Sequence, residues 1–93
     1  MAWSSYRDLV VWQKSMELTE EIYRLVKTLP REETYGLSDQ MRRAVVAVPS
    51  NIAEGHGRNS EKEFIRFLCM AKGSVFELET QILLIFVKPL FQA

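Results

Sequence analysis

The chain has little of what most catalytic or secreted proteins need. Of its 93 residues only one is a cysteine, Cys69. No disulfide can form within the chain, and a reducing compartment is expected. One histidine, His56, and no H-x-x-x-H or C-x-x-C spacing leave any metal to carboxylates alone, so no metal is expected. Net charge is absent too: twelve Lys and Arg balance twelve Asp and Glu, which removes any bulk-charge argument for nucleic acid or an acidic membrane. The longest apolar run, Ile82 to Val87, is far short of the roughly 20 residues that span a bilayer. The first residues, Met-Ala-Trp-Ser-Ser-Tyr-Arg-Asp, lack the basic start and apolar stretch of a signal peptide. A cytoplasmic protein without a membrane partner is expected. No repeat, linker or β-type alternation interrupts the chain.

What is present is helical. Apolar residues make up 47% and charged residues 26%, the composition of a globular domain, and 93 residues suffice for one domain, 1–93. Leu9, Trp12, Met16, Thr19, Tyr23 and Val26 recur at steps of three and four, and Leu18, Ile22, Leu25 and Leu29 widen the stripe. With Ser5 and Asp8 as a weak capping box and Pro30 as a stop, a first helix is expected over about 6–29. Residues 30–37 read as a loop. Ser38 is placed to cap a second helix, about 38–55, with Leu37, Met41, Val45, Val48 and Ile52 as its stripe and Ala44, Ala47 and Ala53 as small contact residues. Pro49 predicts a kink within it.

Gly55-His56-Gly57-Arg58-Asn59 reads as a turn in which glycines supply positive φ, and Ser60-Glu61-Lys62-Glu63 is a full capping box. Phe64, Phe67, Leu68, Ala71, Val75, Leu78, Ile82 and Ile85 then define a third helix, about 61–87, which Pro89 should stop. Gly73 within it suggests a close crossing, and Cys69 reads as a small buried side chain. Short loops make the three helices antiparallel neighbours. The tail from Ile82 to Val87, with Leu90 and Phe91, is apolar all round. It must fold back or be covered by a second copy.

Catalysis finds little support. Glu77 and Glu79 diverge by about 200° on a helix, one expected in solvent and one near the interior. Glu54, His56 and Ser50 lack an orienting third group, and His56 reads as a surface turn residue. No phosphate-cradling glycine pattern occurs. The middle third is the basic part: residues 40–72 hold six basic and three acidic side chains. Arg42, Arg43, Arg58, Lys62 and Arg66, with Lys72 nearby, are the candidates for phosphate contact, and Arg58, Lys62 and Arg66 would form one ridge if helix geometry reached back to the turn. A solvated, salt-bridged face is the competing reading. The helical spacing of Trp3, Tyr6, Trp12, Tyr23 and the phenylalanines favours core or interface packing over base stacking.

Four segments carry a family resemblance: Leu9-Val10-Val11-Trp12-Gln13-Lys14-Ser15, Tyr35-Gly36-Leu37-Ser38-Asp39-Gln40-Met41-Arg42-Arg43-Ala44-Val45, Val48-Pro49-Ser50-Asn51-Ile52-Ala53-Glu54-Gly55, and Ala71-Lys72-Gly73-Ser74-Val75-Phe76-Glu77-Leu78-Glu79-Thr80. Together they resemble the four-helix-bundle family of 23S ribosomal-RNA intervening-sequence proteins, related to the accessory variability protein of diversity-generating retroelements. The resemblance implies a small bacterial all-α protein, an antiparallel up-down bundle and a homo-oligomer, with a pentamer favoured. It also implies contact with RNA or a nucleic-acid-processing protein through a basic surface. The family pattern continues into a fourth helix, whereas here Leu84 leads directly to Ile85-Phe86-Val87-Lys88-Pro89-Leu90-Phe91-Gln92-Ala93. Three long helices are therefore expected, the fourth lost or replaced by the short apolar tail. Arg43, Asn51, Glu54 and Glu79 are expected to form a polar network fixing helix register, and Ile85, Phe86, Leu90 and Phe91 an oligomer interface. The leading expectation is a non-enzymatic homo-oligomeric scaffold, without cofactor, that binds RNA or a nucleic-acid-processing partner. The alternative is a purely structural or protein–protein interaction module.

Overall fold

A computed structural model describes residues 5–31 and 36–91, with side chains in the last helix described to Phe86. Trp3, Glu32, Glu33, Tyr35 and the side chains of Leu90 and Phe91 lie outside the described residues. The described chain is all-α, with no strand: a 3-10 turn at Tyr6–Asp8, then α1 (Val10–Lys27), α2 (Leu37–Gly57) and α3 (Glu61–Phe91).

The helix starts differ from the sequence reading. Ser5 does cap, accepting from the Arg7 N–H at 3.1 Å, but it caps the 3-10 turn. Leu9, in extended conformation, then separates that turn from α1. Ser38 does not cap α2. The helix begins one residue earlier, after Gly36, so Ser38 falls within its first turn and is buried. Pro49 leaves α2 continuous. Beside it the Ser50 hydroxyl donates to the Val46 carbonyl at 2.7 Å and the Asn51 amide to the Ala47 carbonyl at 2.8 Å, extra bonds around the turn that the proline weakens. Pro89 does not stop α3, which runs on to Phe91. A proline there forfeits one backbone bond in the final turns, and its fixed φ is already helical.

Helix α2 is the centre. Both other helices approach it, whereas α1 and α3 have no Cα atoms within 8 Å of each other among the described residues. Two apolar clusters fill the space. One joins Ile22 and Val26 late in α1 with Met41, Ala44 and Val45 early in α2 and Leu78 far along α3. The other joins Leu9, just ahead of α1, with Val48 and Ile52 late in α2 and Ala71 in the first half of α3. Met16 and Tyr23, members of the expected α1 stripe, are exposed. They line grooves between α1 and α2, because the inner face of α1 turns toward Ser15, Ile22 and Val26.

The close helix approach is at Gly55, not Gly73. A Cβ at Gly55 would lie 2.5 Å from the Phe67 Cβ, whereas one at Gly73 meets nothing within 4 Å. Cys69 is exposed, because Phe67 and Ala71 two residues to either side are the ones that face α2. The molecule is elongated, 54 × 21 × 18 Å, with a radius of gyration of 15.3 Å. A compact chain of this length is expected near 12 Å. Among the described residues no helix is long and apolar enough to cross a membrane.

Candidate nucleic-acid interface

The basic candidates collect around the connection between α2 and α3. Helix α2 continues through Gly57, and the turn is made by Arg58 and Asn59. Asn59, with φ 53°, takes the left-handed position expected of a glycine, and no described glycine has positive φ. A short polar side chain tolerates that region better than most, and Gly55 is instead used for close packing. Ser60 then caps α3, its hydroxyl accepting from the Glu63 N–H at 3.3 Å. The return bond of the capping box is not made by Glu63, whose carboxylate is held by Arg66. The Arg66 guanidinium donates to both of its oxygens, at 3.0 and 3.1 Å. That charge-assisted bond lowers the pKa of Glu63 and raises that of Arg66.

Because Arg58 precedes the first residue of α3, it is not on a helical ridge with Lys62 and Arg66. Phe67 brings the two arginines together instead. The Arg58 guanidinium carbon lies 5.0 Å from the ring centroid and that of Arg66 lies 4.7 Å from it, both within cation–π range. Arg58 also pairs with Glu54 at 3.3 Å. Exposed Lys62 stands in the first turn of α3, and it has no carboxylate partner among the described residues. Nothing in the sequence marks Phe67 as the residue that gathers these cations, since its spacing is equally that of a core residue.

Arg42 and Arg43 form a separate site. They lie about 22 Å along α2 from the turn at 1.5 Å per residue, beside a groove lined by Tyr23, Asp39, Val46 and Ala47. Arg43 pairs with Asp39 at 3.1 Å. The five cations are therefore two clusters, three at the turn and two near the start of α2.

Three of the four residues expected to form a polar network bond locally, and the fourth, Glu79, stands in a groove. Arg43 holds Asp39, Asn51 holds the Ala47 carbonyl, Glu54 holds Arg58, and exposed Glu79 lines a groove with Leu18, Val75, Leu78, Ile82 and Leu83. Among the described residues none bonds another member of the set within the chain. Glu77 is exposed as well, taking a bond from Gln81 at 3.3 Å, so neither carboxylate of that pair reaches the interior. Gln81 occupies the buried position instead, because it falls on the same face as Leu78.

Ser50, Glu54 and His56 do not converge. Ser50 bonds Val46, Glu54 pairs with Arg58, and His56, in the last turn of α2, sets its ring edge-on to Phe64 at 5.9 Å. Of the expected interface residues with described side chains, Ile85 packs against the first apolar cluster and Phe86 is 72% exposed. No curated protein matches the sequence. The family model described as 23S rRNA-intervening sequence protein matches residues 7–91, which takes in every helix described above, and the chain belongs to that family.

Proposed function

We propose that the chain is a non-enzymatic cytoplasmic scaffold, folded as an antiparallel up-down bundle, that assembles with copies of itself and holds RNA at the α2–α3 turn. The observation that carries the self-assembly is the number of large apolar side chains left open along the rods. Val10, Met16 and Tyr23 on α1 and Ile65, Phe76, Leu83 and Phe86 on α3 are each at least 40% exposed. Unsheltered apolar area of that extent is the mark of an interaction surface. The resemblance favours five copies.

The RNA half of the reading rests on Arg58, Lys62 and Arg66. The Phe67 ring gathers the guanidiniums of Arg58 and Arg66, 5.0 and 4.7 Å from its centroid, and with Lys62 in the same turn the local concentration of positive charge suits phosphate oxygens. Gel-shift titration of structured RNA tests it. Three phosphate contacts predict an affinity loss of about 40-fold between about 50 and 200 mM salt, and no shift at low salt overturns the RNA reading.

One observation favours the purely structural alternative: Arg43, Arg58 and Arg66 already hold carboxylates of Asp39, Glu54 and Glu63. A discrete assembly mass by light scattering, with no excess absorbance at 260 nm and no gel shift, is the outcome that reading predicts. A compact monomer overturns both.

A further inference from the structure

Helix α3 carries a second apolar stripe, on the side away from its buried residues Phe67, Ala71 and Leu78. Its members are Ile65, Cys69, Phe76, Leu83 and Phe86, all exposed. With Lys72 and Glu79 between them they recur at alternating steps of four and three along the chain. That is the repeat of a two-helix seam, not of a solvated face. The stripe borders the groove between α1 and α3 that Leu18, Glu79 and Leu83 line.

The two charges in the seam select the occupant. Lys72 and Glu79 stand two turns apart, and neither has an ion-pair partner within the chain among the described residues. The Lys72 ammonium rests over the Phe76 ring at 5.7 Å. Any helix laid here must bring an acid and a base at matching levels, and α3 itself carries both. Two copies of α3 in opposite directions, with a two-fold axis beside residues 75–76, set Lys72 of each against the partner's Glu79. Ile65 then falls opposite the partner's Phe86, Cys69 opposite the partner's Leu83, and the two Phe76 rings share the centre. Copies in the same direction would set lysine against lysine and glutamate against glutamate within an apolar seam.

We propose that the outer face of α3 is a self-recognition surface whose occupant is α3 of a second copy, packed antiparallel and pinned by two Lys72–Glu79 ion pairs. The proposal rests on the self-assembly reading and names its contact. Such a contact is isologous and closes in pairs. Where rings of five form through other surfaces, it joins two rings, and the number of chains stays even.

Light scattering and sedimentation of the full chain over a dilution series test the proposal. Lys72→Glu and Glu79→Lys each create two like-charge contacts and raise the dissociation constant at least about tenfold. The double exchange Lys72→Glu/Glu79→Lys reinstates both pairs in reverse and restores the constant to within about threefold. Both positions are exposed, so circular dichroism should show all variants helical. Oxidation gives an independent reading of direction. In the antiparallel pair the two Cys69 residues lie about 20 Å apart along the seam, too far for a disulfide, and no Cys69-linked dimer should form. An assembly indifferent to the single exchanges, unrestored by the double, or readily linked through Cys69 overturns this contact and leaves the self-assembly reading standing. A wild-type chain that stays monomeric overturns both.

Discussion

Helices α2 and α3 are built from the same kinds of residue but spend them differently. Along α2 the apolar side chains other than the exposed Val46 form one stripe turned to its neighbours, in which Met41 and Val45 are fully buried and Ile52 is 1% exposed. Along α3 they lie on two faces: Phe67, Ala71 and Leu78 turn inward, while Ile65, Phe76, Leu83 and Phe86 turn out. The difference follows from position. Helix α2 has a neighbour on each side, whereas α3 packs its backbone against α2 alone among the described residues. A helix can thus be deeply seated on one side while a second apolar face of it stays open.

The comparison breaks most readily at Ile52. Ile52→Ala empties a buried site and should lower stability by about 2–5 kcal/mol in urea denaturation. Phe76→Ala, measured at dilutions that dissociate any assembly, should stay within about 0.5 kcal/mol of wild type. Equal losses at the two sites would mean that α3 has no open face. Glycines sharpen the same contrast with opposite signs. Gly55→Ala drives a Cβ against that of Phe67, two atoms that cannot move apart without shifting a helix, and should cost about 1–3 kcal/mol. Gly73→Ala meets open space and should gain up to about 1 kcal/mol from helix propensity. Thermal melts of the pair distinguish the closed crossing from the open one.

The smallest effect is expected at the turn, where charge and not burial is at stake. The bond from Arg66 holds the Glu63 carboxyl below its ordinary 4.5. A carboxyl with a depressed pKa in the folded chain contributes stability that is present above its unfolded value and is lost as pH falls through the folded one. Arg66→Met should bring the Glu63 titration midpoint, followed by NMR, back up toward 4.5. An unmoved midpoint would show that the pair does not persist in solution.

Much of this fold could be read from spacing alone. The α2 stripe from Met41 to Ile52 and the α3 stripe of Phe67, Ala71 and Leu78 are the residues that the apolar period picks out, because a face repeating every 3.6 residues can be buried on one side only. Sequence and structure part where two local signals compete. Ser38 has a capping side chain, but the helix began at Leu37. Pro89 resembles a stop, but one lost bond near an end is tolerable. Gly55 and Gly57 resemble turn residues, but the turn fell at Arg58 and Asn59. For the candidate interface, the basic residues were legible and their grouping was not, since bringing Arg58 to Arg66 depends on where the Phe67 ring sits.

The order of residues determined by itself that the chain is all-α, which family it belongs to, and which stripes can be buried, because these depend on periods and motifs within single segments. Only the tertiary structure decided which side of each rod is sheltered. It set Cys69 and Glu79 outward and Gln81 inward, placed the tight crossing at Gly55, and left a second apolar face open on α3. Those outcomes depend on how far apart two helices stand and how each is rotated toward the other, quantities that no local pattern contains.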